Sequence, residues 1–216
     1  MAVYDKSLIV EFLSGSGDDI ITTGSANLRK KVGAPIVTIG PCMPKPFGLP
    51  LAKREELKKA FKTLTDQSRL YLRGHGDWKN RTLGGWTGKE VAAVLKMCGL
   101  TAPKLISVTG CNGARFTGYS KTESDYFAGT FAEVRTARNA LLDASTSSFA
   151  GQLHFELGQS CGIRSDLTGR TYYLSVHDDG SKITADEMGS EKHHRPYSKI
   201  RFYWQGGQQM REWVVY

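Results

Sequence analysis

Cysteine is scarce: four residues in 216, Cys42, Cys98, Cys111 and Cys161, with no CxxC pair. So few thiols exclude a disulfide-built scaffold, and the missing pair argues against a structural zinc site. Reduced thiols in a cytosolic setting are the expectation. Proline is also sparse, and four of the seven fall between positions 41 and 50, where they rule out regular structure and mark a surface loop. No apolar run approaches the ~20 residues needed to span a bilayer. The opening MAVYDKSLIVEFL lacks the charged region, apolar core and cleavage pattern of a secretory signal. Export, if it occurs, then uses another route, or the domain is cut from a larger chain. No internal repeat or low-complexity tract is present. The glycine-rich SGSGDD at 14–19 lacks the GxxxxGK[ST] pattern of a phosphate loop. Adjacent His193 and His194 lie on a polar segment and read as solvated, so no metal is expected.

What remains is an ordinary soluble composition, 40% hydrophobic and 23% charged, in a chain long enough for one domain with a real core. Net charge is +8, from 29 basic and 21 acidic residues. The basic residues are scattered, with short clusters only at 29–31 and 192–195. That distribution argues against generic nucleic-acid binding and leaves room for a polyanionic small molecule.

Two short apolar runs, at 69–72 and 105–108, have the length and content of buried strands. Each stops in a glycine-bounded turn. The first presents His75, in Gly74-His75-Gly76, and the second presents Cys111, in Gly110-Cys111-Asn112-Gly113. Between them, positions 87–97 read as a helix: Thr87 suits the N-cap, Glu90 stands three residues on, and Val91, Val94 and Leu95 form an apolar face. Strand, helix, strand gives two parallel neighbours through a right-handed crossover. Both turns then lie at the carboxyl edge of one sheet, where open α/β folds carry their sites. Singly, a turn histidine and a small apolar cysteine are unremarkable. Together, 36 positions apart (111 − 75), they are a candidate base and nucleophile.

Further strands are expected at 7–13 and 35–40, and helices at 20–31, 53–64, 127–142 and 149–157. A strand at 171–176 leads through the hairpin signal His177-Asp178-Asp179-Gly180 into 182–184, and a final strand pair, 200–204 and 212–216, surrounds Gly206-Gly207. Cys98 and Cys161 fall inside helical patterns and read as packing residues.

RGHGDW, LGGWTGKEVAAVL and LISVTGCN together resemble the caspase-type (clan CD) cysteine peptidases. Within these they are most similar to the autoprocessing protease domains of large clostridial glucosylating toxins and of MARTX toxins. The resemblance spans most of residues 7–183. It implies a caspase-like three-layer α/β sandwich with a mostly parallel central sheet and a C-terminal β-flap. One domain then covers 1–216, with a core over about 5–165 and the flap and C-terminal strands over about 166–216. It makes Cys111 the nucleophile, His75 its base, and the backbone N–H groups of Gly76 and Cys111 the oxyanion hole. Gly17-Asp18 matches an acidic step that orients the histidine, with Asp19 the fallback.

Relatives of this kind are activated by inositol hexakisphosphate. Leu167-Thr168-Gly169-Arg170 resembles their strand and Gly-Arg turn, which places Arg170 in the polyphosphate pocket, with Lys182 at a plausible flap position. Thr171 stands where relatives have a second basic residue, and the short His-to-Cys spacing trims the loop at 78–81. The implied protein is a soluble endopeptidase of a bacterial effector or toxin, needing no cofactor, with a protein substrate and a polyphosphate activator. It is expected to be active in a host cytosol, otherwise cytoplasmic, and a start at Met1 favours a stand-alone effector. The competing reading is a catalytically silent caspase-like module that binds a polyanion or a protein. A weaker third is an acyltransferase or deamidase using the same dyad.

Overall fold

Ser7–Phe12 (β1), SLIVEF, is buried at nearly every position, as a strand covered on both faces must be. The computed structural model describes residues 3–15, 18–40, 49–115, 130–185, 189–193 and 195–215, with the side chain of residue 131 set aside. Cys42, most of the proline loop, Gly17, His194 and positions 127–129 of the helix expected over 127–142 lie outside them.

β1 pairs in parallel with Ile36–Ile39 (β2) and with Arg69–Gly74 (β3). β3 pairs in parallel with Leu105–Thr109 (β7), and β7 with Asp166–Arg170 (β8). Lys199–Gln205 (β12) and Gln208–Trp213 (β13) then add in antiparallel fashion, giving a seven-stranded sheet in the order β13-β12-β8-β7-β3-β1-β2. A mixed α/β fold with a mostly parallel central sheet is thus what the chain forms. The final strand pair extends the central sheet through β8. One expectation is corrected: Gly169-Arg170 is not a turn, because both residues pair within the sheet, Arg170 opposite Lys199.

Alternate side chains divide the sheet into two unlike faces. Leu8, Val10 and Phe12 of β1, Leu70 and Leu72 of β3, and Ile106 and Val108 of β7 enter one large apolar core. Three helices cover it: Leu51–Phe61 (α2), Gly88–Met97 (α3) and Phe149–Gln159 (α5). They contribute Leu57 and Phe61, Val91, Val94 and Leu95, and Leu153 and Leu157. Each such side chain stabilises the fold by about 1.5–3 kcal/mol. The opposite face has only a small cluster, Ile9, Leu28, Ala34 and Tyr71, under Asp19–Val32 (α1). Here also lies a separate three-stranded sheet of Tyr173–Val176 (β9), Lys182–Ala185 (β10) and Glu191–Lys192 (β11). Asn27 of α1 donates to Asp178 Oδ1 at 3.2 Å, fixing the β9–β10 turn to that helix.

The local signals explain the helix bounds. Thr87 Oγ1 accepts from Glu90 N while the Glu90 carboxylate accepts from Thr87 N, a capping box. The same box, Thr130 with Glu133, starts Phe131–Ala144 (α4). Gly33, at φ 65°, ends α1. Between β3 and α3 the chain makes a small sheet of Gly76–Asp77 (β4), Thr82–Leu83 (β5) and Trp86–Thr87 (β6), tied by Asp77 Oδ1 accepting from Lys79 N and Asn80 N. Buried Trp86 sets its edge on Phe12, with ring centroids 5.9 Å apart.

Candidate active site

Three neighbouring strands end on one edge of the sheet, and each delivers one residue. Because Arg69 pairs with Leu105 and Arg73 with Thr109, β3 and β7 run out at the same level. His75 and Cys111 therefore leave the sheet side by side. The backbones touch: a Cβ placed on Gly76 would stand 1.7 Å from the carbonyl oxygen of Cys111, so only glycine fits there. β1, on the other side of β3, leads to Asp18, whose Oδ1 lies 2.8 Å from His75 Nε2. Asp18 Oδ2 in turn accepts from Ser14 N and Oγ. The carboxylate is 4% exposed and the imidazole 45%. Asp19, exposed in the first turn of α1, makes no bond to His75 among the described residues.

Cys111 is half-buried at the head of its turn, followed by Asn112 at φ 53°, a left-handed conformation that Asn tolerates better than most residues. The thiol faces β9: Sγ receives the Leu174 N–H at 3.5 Å and lies 3.7 Å from the Leu174 carbonyl, which accepts from it. Among the described residues no hydrogen bond joins Cys111 to His75. By contrast, burial pushes the Cys98 and Cys161 thiols up, the state of inert packing residues. Both sit just past the helices they were expected to lie in.

His75 and Cys111 line one cleft of about 580 Å³ between α1 and β9, whose walls include Ile20, Thr23, Tyr173 and Val176. Its floor holds a residue that motif reading passed over. Arg73 is 4% exposed, and burial pulls its guanidinium down to about 10, against the opposing pull of Glu11, Cys111 and Asp18.

A second, small cavity of about 40 Å³ lies under β10 on the same sheet face. Arg170 and Lys182, nominated from the sequence, both line it, and Arg69 and Lys199 join them unannounced. Lys182 Nζ donates to Thr109 Oγ1 at 3.1 Å and stands 4.7 Å from the centre of the Tyr71 ring. Burial, reinforced by neighbouring arginines, holds Lys182 well below its usual range and brings Lys199 down to about 8. The missed signal was present in β3, where Arg69, Tyr71 and Arg73 alternate with Leu70 and Leu72. Among the described residues no group of three or more His, Cys, Asp or Glu could hold a metal ion. No helix among them is long and apolar enough to cross a membrane.

The profile of the peptidase C80 family matches residues 51–185, a span that contains both turns, β9 and β10. The chain belongs to the peptidase C80 family. It is therefore a cysteine peptidase of the clan CD, toxin-autoprocessing type, a hydrolase whose substrate is protein. Asp18 and β1 precede the matched span. No curated protein matches the chain.

Proposed function

We propose that this peptidase C80 chain is an endopeptidase in which Cys111 is the nucleophile, His75 its base and Asp18 the residue that orients the base. The observation that carries this reading is the convergence of three strand ends on one cleft, with Asp18 holding one nitrogen of His75. The Asp18 bond assigns the imidazole proton to Nε2 and leaves Nδ1 as the acceptor. Nδ1 takes the thiol proton, and the thiolate attacks the peptide carbonyl carbon. The oxyanion so formed is met by the N–H groups of Gly76 and Cys111, donors typically worth ~3 kcal/mol each. His75 returns the proton to the departing amine, leaving a thioester, and then activates the water that hydrolyses it.

The thiol is engaged by Leu174, so β9 must shift before Cys111 can pass its proton to His75. β9 pairs with β10, and β10 carries Lys182 into the cationic cavity. Inositol hexakisphosphate, or a similar polyphosphate, is the proposed activator, and the three-stranded sheet β9–β11 acts as the flap. A cavity of about 40 Å³ is close to the volume of one water, so the flap must lift to admit such a ligand. Neutralising Arg69, Arg170, Lys182 and Lys199 supplies the driving force, and the shift of β9 frees Cys111 for His75. The biological setting that fits is a bacterial effector or toxin domain released into a reducing host cytosol.

A thiol-reactive peptide probe tests the assignment. Labelling is expected at Cys111, stimulated by inositol hexakisphosphate and lost in Cys111→Ala and His75→Ala. The engagement of the thiol by Leu174 is the one observation favouring a catalytically silent module, and absence of labelling under every ligand condition would establish that alternative.

A further inference from the structure

The oxyanion hole proposed above takes one N–H from each of two turns, so its width depends on how those turns are held together. At their base the sheet fixes them, where Arg73 pairs with Thr109. Beyond it the backbones press on each other. A Cβ on Gly110 would stand 2.8 Å from the Gly74 carbonyl oxygen, and one on Gly76 would stand 3.1 Å from the Cys111 nitrogen. Side chains then join the far ends: the Arg115 guanidinium carbon lies 4.6 Å from the centre of the Trp78 ring. Trp78 comes three residues after His75, and Arg115 four after Cys111.

Both partners are built into their turns. Trp78 is half-buried, and the backbone around it is set by Asp77 Oδ1, which accepts from Lys79 N at 2.9 Å and Asn80 N at 3.1 Å. Gly84 N donates to the His75 carbonyl at 2.7 Å and ties this turn to β5. Arg115 is 3% exposed, and its N–H closes the nucleophile turn on the Asn112 carbonyl at 2.9 Å. That turn is anchored by Asn112 N donating to the Tyr172 carbonyl, Ala114 N to that of Arg170, and Ala150 N to the Gly113 carbonyl. A cation over an indole face is drawn to its electron-rich centre, and more strongly where water is kept from the charge. Lys79 also approaches the Trp78 ring, but it is exposed and 5.7 Å away, near the limit of that attraction. Arg115 is the closer and drier of the two cations.

We infer that the Trp78–Arg115 stack is a positioning pair that sets the spacing of the Gly76 and Cys111 N–H groups, and so the fit of the oxyanion hole. The inference rests on the peptidase reading above. Neither side chain lines the cleft, so the stack acts on the hole and not on substrate affinity. Two donors that must converge on one oxygen tolerate little play, and a misplacement of ~1 Å is enough to slow the reaction. A clamp biases the arrangement only by its own free energy, which caps the loss at roughly 30-fold in kcat.

The test uses the peptide that is cleaved best in a library profile, with inositol hexakisphosphate present. Trp78→Leu and Arg115→Met should each lower kcat roughly 5- to 30-fold while KM stays within about twofold. The double variant should fall no further than the worse single one, because either change removes the whole contact. Trp78→Phe and Arg115→Lys, which keep a ring face and a cation, should recover most of the loss. His75-dependent alkylation of Cys111 by iodoacetamide displaces iodide and forms no oxyanion. Its rate should stay within about twofold in every variant, which also shows that each is folded. An unchanged kcat in the single variants, losses that multiply in the double one, or a loss carried by KM overturns the inference. So does alkylation that slows in step with kcat, which would make the stack a support of the Cys–His pair or of the fold. In the wild type, absence of cleavage of every library peptide and of His75-dependent alkylation overturns the peptidase reading itself and this inference with it.

Discussion

Leu70 and Leu72 of β3 point into one face of the central sheet, while Arg69, Tyr71 and Arg73, their alternate neighbours, point into the other. The first face is a continuous apolar core under α2, α3 and α5. The second collects Arg69, Arg73, Arg170, Lys182 and Lys199 beneath α1 and the β9–β11 sheet. One face is a stability device, because every group on it gains by leaving water. On the other, like charges crowd together, and their mutual repulsion opposes the fold rather than supporting it. His75 and Cys111 lie where the two faces meet, at the edge of the sheet.

Substitutions on each side should separate these roles. Cys111→Ala, at the edge, should abolish cleavage by at least ~10³-fold while the melting temperature stays within about 2 °C. A variant that retains cleavage would break the assignment. Leu153→Ala, on the apolar face, should cost about 3 kcal/mol in urea unfolding, with cleavage per folded molecule unchanged. Lys182→Met, on the cationic face, should act the other way and stabilise the ligand-free protein by about 1 kcal/mol. The same change should remove the stabilisation that inositol hexakisphosphate gives the wild type, about 2.7 kcal/mol at 100 times its Kd. If Lys182→Met destabilises and leaves the ligand response intact, the contrast between the faces fails.

The smallest effect is in pH. Lys199 holds its proton only up to about 8 in the folded chain, against 10.5 as its ordinary value. Between those values the unfolded chain binds a proton the folded chain has shed, so raising the pH through that window stabilises the fold. Thermal melts of the ligand-free protein should show this rise, and Lys199→Met should flatten it.

Much of this arrangement was legible along the chain. The runs at 7–13, 69–72 and 105–108, the glycine turns after the latter two and the Thr87–Glu90 cap all reflect local preferences, and the structure has them within a residue or two. The small sheet β4–β6 was not legible, since strands of two residues are too short to show a period. The placing of β8, β12 and β13 was not either, because Gly169-Arg170 reads as a turn until Lys199 pairs with it.

The order of apolar and polar residues by itself determined strands β1, β3 and β7, the helix between the last two, their parallel pairing through a short crossover, and so the delivery of His75 and Cys111 to one edge. Tertiary structure alone decided that Asp18 rather than Asp19 meets His75, that Leu174 covers the thiol, and that five cations from four strands share one face. The physical reason is range: periodicity and capping act within a turn or a strand, whereas these contacts join segments tens of residues apart, and only the strand order of the finished sheet brings them together.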